Sequence, residues 1–151
     1  MSARIPVSIV TPERPTWEGE VDSLVLPAFE GQLGILPGHA PLLAELKPGT
    51  VVMRDGPETK LLAVSGGFVE VHGGRVSVFA ETAEIADEID AERARQAAER
   101  ARAKIKSTPA EKLDAQAVAA LERALARLRA QELAARRGFQ RGSPPNQPPA
   151  Q

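Results

Sequence analysis

Hydrophobic residues follow two rhythms along this chain, and the change comes near residue 86. In RIPVSIV, Ile5, Val7 and Ile9 take alternate positions, as in a strand with one buried face. VDSLVLPAF continues in the same style after a turn expected at Glu18 to Glu20. In FVEVHGGRVSVFA, Val69 and Val71 precede the pair Gly73-Gly74, and Val76 and Val78 follow it, which predicts a hairpin whose turn needs positive φ. MRDGPETKLLAV predicts a second hairpin around Asp55 to Pro57. Short strands with turn chemistry about every eight to twelve residues predict a small sandwich or barrel.

After residue 86 the spacing becomes helical. Asp90 is placed to cap a helix beginning AERARQAAERARAKIK. STPAEKL then predicts a stop and a restart, with Thr108 as N-cap, Pro109 in the first helical position and Glu111 completing a capping box. The second helix is expected to end near Arg137, with Gly138 as its C′ residue. Two helices joined so closely predict an antiparallel hairpin. Its seam consists of Ala94, Ala98, Ala101 and Ile105 on one helix and Leu113, Ala117, Ala120 or Leu121, Ala124 and Leu128 on the other. A methyl group contributes only about 0.8 kcal/mol on burial, so such a seam docks weakly while alanine keeps each helix intact. Both a detachable switch and a permanently docked pair are compatible with it. SPPNQPPAQ, polar and proline-rich, has nothing to bury and is expected to be disordered. The chain thus divides into an α+β arrangement: a strand-rich domain over 1–86, a helical hairpin over 87–138 and a tail over 139–151.

Composition narrows the chemistry. The 151 residues carry a formal net charge of −1, which gives no overall field for a nucleic-acid backbone. Cysteine is absent, excluding disulfides, thiolate zinc sites and cysteine nucleophiles. No apolar run approaches the ~20 residues of a spanning helix, so membrane association is expected only through a partner. Neither a phosphate-loop nor a dinucleotide fingerprint occurs, and His39 and His72 have no carboxylate cluster at ligand spacing, so neither a metal site nor catalysis is expected. Arg123 and Arg127 lie four apart on the second helix, one turn from each other on one face, as a chain of phosphates would need. In a hairpin, Asp90 and Arg93 are expected to converge with Arg123, Arg127 and Arg129. A solvated arginine face fits the same spacing.

EGQLGILPGHAPLLAELKPG, VSGGFVEV and AETAEIADEIDAERA, in that order, resemble the epsilon subunits of bacterial F-type rotary ATP synthases over roughly residues 4 to 137. The resemblance implies a β-sandwich of about ten strands and a two-helix hairpin, in a central-stalk subunit that binds the gamma subunit and the ring of c subunits. It implies a coupling role without catalysis, at the cytoplasmic face of the bacterial inner membrane. On the same basis Glu30, Gly31 and Gln32 match positions near the c-ring loops, and His39 one near gamma. Gln32 departs from the acidic residue of some relatives. A hydrogen-bonded histidine that supports the turn is an equal reading of His39.

The resemblance further implies that the helices either fold on the sandwich or extend along gamma toward the alpha and beta subunits, where they inhibit ATP hydrolysis. Some relatives bind ATP as a regulatory ligand in the folded state through I-D-x-x-R-A. Ile89, Asp90, Arg93 and Ala94 match that motif, Glu84 matches upstream, and Arg123 and Arg127 match the arginines of the second helix. No cofactor is implied as a requirement. The alternative is a purely structural subunit with no nucleotide sensing.

Overall fold

The alternating half forms eight strands, and the Ala-rich half forms two helices, in a computed structural model that describes residues 3–142. The strands are β1 (Ile5–Val10), β2 (Pro15–Val21), β3 (Ser23–Ala28), β4 (Gly31–Ile35), β5 (Leu42–Asp55), β6 (Glu58–His72), β7 (Arg75–Ala80) and β8 (Ala83–Ile85). A short 3-10 turn over Ala86–Glu88 leads into α1 (Ala91–Ser107), and a second over Ala110–Lys112 leads toward α2 (Ala115–Gly142). Hydrogen bonding runs β2-β1-β7-β6-β5-β3-β4, with β8 on β6. The β1–β7 pair is parallel and every other pair is antiparallel.

Eight strands replace the expected ten because β5 and β6 each run unbroken for 14 and 15 residues. Their pairing keeps one register from Leu42↔Val71 to Asp55↔Glu58, so both strands run through Lys47 and Gly66 without ending. Gly66 and Gly67 take positive φ there, at +114 and +125, and a Cβ on Gly67 would lie 1.9 Å from the Phe79 carbonyl oxygen. Only glycine allows β7 to approach so closely. The first half of β6 pairs with β8 and the second half with β7, so one strand serves two layers.

The layers enclose a core of Ile5, Val7, Ile9, Val21, Leu24, Leu26, Ile35, Leu46, Val51, Met53, Leu62, Val64, Val69, Val71, Val76 and Val78. The alternation of β1, β6 and β7 puts Ile5, Val7, Ile9, Val69, Val71, Val76 and Val78 inside, as the sequence pattern predicts. The predicted hairpins also form, with Gly73 and Gly74 at φ 59 and 75 between β6 and β7 and a Gly56-Pro57 turn between β5 and β6.

Other boundaries differ from expectation. Glu18 and Glu20 lie within β2, paired with Ser8 and Pro6, and the chain turns at Asp22 instead. The Asp22 carboxylate accepts a 2.7 Å hydrogen bond from the Gly56 N–H. Thr108 terminates α1 rather than starting α2, because its hydroxyl donates back to the Lys104 carbonyl at 2.6 Å. Pro109 is extended, and the cap of α2 is Asp114, which accepts from the Ala117 N–H at 2.8 Å. Helix α2 passes through Gly138 to Gly142, since a mid-helix glycine costs only about 1 kcal/mol and the preceding Ala134 and Ala135 favour the helix. The expected tail from Ser143 onward lies outside the described residues.

At one end of the sandwich, Arg4 hydrogen-bonds to Asp55 (2.5 Å), and Lys60 pairs with the same carboxylate at 3.3 Å. These bonds, the one from Arg4 foremost, hold the Asp55 carboxyl below its ordinary 3.8. Their stabilisation is therefore complete above the unfolded-state value and is lost as pH falls through the depressed folded value. Arg4→Met is expected to flatten the acid side of the stability profile below about pH 4, read as the urea midpoint against pH. An acid limb identical to that of the parent would contradict this role.

Candidate functional site

The first half of β6, LLAV, is buried on both faces: Leu62 and Val64 enter the sandwich core, while Leu61 and Ala63 face the helices. A continuous apolar run is what double burial requires. Leu61 and Ala63 join Ala86, Ile89, Ala94, Ala130 and Ala134 in a second apolar cluster, with Val52, Leu128 and Leu133 packed against it. Helix α2 is thereby seated on the sandwich, while α1 packs chiefly on α2.

Beside this cluster the alanine seam leaves a cavity of ≈ 450 Å³ between β6, β8 and the two helices. Ala63, Val64, Ser65 and Thr82 line the sandwich side, and Ala97, Ala101, Ala120 and Ala124 line the helical side. Small residues on opposing helices leave room that leucines would fill. Four cationic side chains border it: Arg100 and Lys104 from α1, Arg123 and Arg127 from α2. The carboxylate on its lining is Glu84, which accepts a 3.0 Å hydrogen bond from Arg127 Nε. Both partners are partly exposed, with side-chain exposures of 29% for Arg127 and 40% for Glu84, so the pair is screened by solvent. On the cavity floor, the Thr82 hydroxyl donates to Ser65 Oγ at 2.6 Å. Cations thus outnumber acids four to one around a solvent-open cleft, an arrangement that favours a polyanion.

The structure brings Glu84, Arg123 and Arg127 together on this lining and leaves Ile89, Asp90, Arg93 and Ala94 off it. Asp90 is committed as the N-cap of α1, accepting from the N–H groups of Glu92 and Arg93 at 3.0 and 3.1 Å. Arg93 is exposed, while Ile89 and Ala94 are buried in the second apolar cluster. Asp90 and Arg93 therefore do not line this cavity with Arg123 and Arg127. Ala94 clusters with Ala130 and Ala134, so the first turn of α1 lies about one turn of α2 beyond Arg127. Arg100 and Lys104 escaped the sequence reading. Their spacing of four, repeating that of Arg123 and Arg127, was the available signal.

A separate surface gathers Glu30, Gly31 and Gln32 at the β3–β4 turn beside Phe29 and Leu43. Phe29 and Leu43 are 61% and 69% exposed, far more than isolated core-type residues need be. His39 lies apart from this group, in the β4–β5 loop against Ile5, Ile35 and Gly74. Its Nδ1–H donates to the Ala40 carbonyl at 2.7 Å, and its backbone N–H donates to Leu36. The imidazole braces its own turn. Among the described residues no group of three or more His, Cys, Asp or Glu is placed to hold a metal ion.

Comparison with known proteins assigns both halves. Residues 4–86 match the family model for the ATP synthase delta/epsilon chain β-sandwich domain, and residues 87–132 match that for its long α-helix domain. The chain belongs to the ATP synthase delta/epsilon family. Among its relatives, the ATP synthase epsilon chain of Desulforamulus reducens is 45% identical over 126 residues, 83% of this chain and 96% of that one. That of Moorella thermoacetica is 44% identical over 129 residues, 85% and 96% of the two chains. A chain in the cryo-EM structure of the Euglena gracilis mitochondrial ATP synthase, comprising OSCP, F1 and c-ring, superposes with a TM-score of 0.72 at 29% identity. The match covers 88% of this chain and 81% of that one. A chain of the central stalk and c-ring of the Tetrahymena thermophila enzyme shares the fold, with a TM-score of 0.54 at 18% identity, covering 88% and 97%.

As an epsilon chain it is a non-catalytic subunit of ATP synthase. No helix among its described residues is long and apolar enough to cross a membrane. The charge of this epsilon chain is strongly segregated. Residues 1–90 carry six Lys and Arg against fourteen Asp and Glu, whereas the remainder carries thirteen against six. A near-neutral total conceals an anionic sandwich under cationic helices. Asp90→Ala is expected to cost about 0.5–2 kcal/mol of α1 stability, read as faster amide exchange at Glu92 and Arg93. Unchanged exchange at those two amides would show that the cap contributes nothing.

Proposed function

We propose that this epsilon chain is a nucleotide-sensing coupling subunit: its sandwich holds the stalk together, and its helices report and regulate. The cation-lined cavity carries this reading. Its walls come from the sandwich and from both helices, so an anion held there stabilises the docked state over any state in which the helices have left. Arg100, Lys104, Arg123 and Arg127 neutralise the phosphates of ATP. Glu84 orients Arg127 and faces the sugar and base. Ile89, Asp90, Arg93 and Ala94 serve the same end by a different route, since Asp90 fixes where α1 begins, and Ile89 and Ala94 anchor that beginning to the sandwich. The clustering of early α1 residues with late α2 residues supports an antiparallel hairpin.

In the docked state the helices leave rotation free. Released, they extend along gamma to the alpha and beta subunits and impede ATP hydrolysis. The sandwich binds the c-ring through the exposed surface around Phe29, Glu30, Gly31, Gln32 and Leu43. Gamma is met by the neighbouring sheet face, where the cross-strand pair Phe68 and Phe79 is 49% exposed on each side and His39 shapes an adjoining loop. The c-ring and gamma hold the chain at the cytoplasmic face of the bacterial membrane as a peripheral component. The similarity to a chain solved within an F1 and c-ring assembly supports membership in such a complex.

Arg127→Ala is expected to weaken ATP binding about ten- to a hundredfold, the loss of one charge-assisted interaction of about 1.5–3 kcal/mol. Calorimetric titration of the full chain measures it, with amide shifts near Glu84 and Arg127 locating the ligand. Parent-like affinity in the variant would reject the cavity as the site. Truncation after residue 87 separates regulation from structure: a chain without helices should leave the assembled enzyme coupled but its hydrolysis rate uninhibited. An unchanged hydrolysis rate would leave a purely structural subunit.

A further inference from the structure

The match to the family's helical domain stops at Glu132, but α2 continues for ten more residues to Gly142. The first turn of this continuation is packed, not projecting. Leu133 lies against the second apolar cluster, and Ala134, only 7% exposed, is one of its members. This cluster is where β6, the 86–89 connector, α1 and α2 meet, so the helices cannot leave the sandwich without breaking it. Elsewhere the helical contribution to docking is nearly all alanine: Ala98, Ala101, Ala117, Ala124 and Ala126 are the other buried side chains of α1 and α2 among the described residues. Against that background Leu128 and Leu133 provide the largest apolar side chains that α2 brings to the cluster.

We infer that the continuation of α2 past residue 132 is a clamp that holds the helices on the sandwich in the absence of any ligand. The clamp acts through apolar burial of Leu133 and Ala134 against β6 and the connector, at a place distinct from the cation-lined cavity. It therefore sets how often the helices detach before nucleotide enters the balance. The inference stands or falls independently of ATP binding.

Because the chain contains no cysteine, single introduced thiols report opening directly. Ala86→Cys sits beneath the helices at a position 2% exposed and off the cavity lining, and Val69→Cys lies in the sandwich core at a position 0% exposed, away from them. Modification by a small thiol reagent is followed in the full chain, in a chain ending after Glu132 and in Leu133→Ala. Both changes are expected to accelerate labelling at position 86 roughly five- to thirty-fold while leaving position 69 unchanged. Equal rates at position 86 in all three chains would overturn the clamp. Equal acceleration at 86 and 69 would also overturn it, by showing loss of the whole fold rather than release of the helices.

Discussion

Strand β6 has to satisfy two environments within fifteen residues, and the rest of the molecule follows from how it does so. Its first half is covered on both faces, by the core on one side and the helices on the other, while its second half has one face in the core and one in solvent. The change falls at Ser65 to Gly67, where the strand bends, exchanges β8 for β7 as a neighbour and lets the two layers close. Had β6 remained flat and half-exposed throughout, the helices would have had no apolar seat. The cavity exists because the helices rest there on alanines, which support them without filling the space.

Much of the sandwich was legible in the sequence because each signal was local. Alternation around Ile5 to Ile9 and on both sides of Gly73-Gly74 depends on the pleat alone, and Asp90 as a cap depends on three residues. The number of strands was less legible. Whether a bend ends a strand depends on pairing across the sheet, and Lys47 opposite Gly66 carries no local mark of that choice. Thr108, Pro109 and Glu111 satisfied a capping pattern, yet the Thr108 hydroxyl turned back to Lys104 and Asp114 took the role. Two competing caps, Thr108 and Asp114, stood six residues apart, and propensity does not choose between them.

For the site, Arg123 and Arg127 were readable because two arginines one turn apart define a face whatever lies opposite, whereas Glu84 followed from the resemblance alone. The placing of Asp90 and Arg93 beside them required the register between two helices, which a seam of near-identical alanines does not specify. That register, set by the length of the 108–114 connection and by the seating of Ala94, Ala130 and Ala134, instead brought Arg100 and Lys104 to the cavity. Charge segregation was present in the sequence as well, hidden by a net charge near zero. It becomes meaningful once the anionic half is seen to lie under the cationic one.

The Glu84–Arg127 pair gives the cavity a resident counter-ion. A carboxylate tethered to β8 competes with any incoming anion at an effective concentration on the order of millimolar or more, since it has nowhere to diffuse. In the anion site proposed above, an incoming ligand has to displace this tether, which weakens its apparent affinity and favours an abundant or multiply charged anion. A single ion pair between a strand and a helix would thus set the concentration range over which such a site fills.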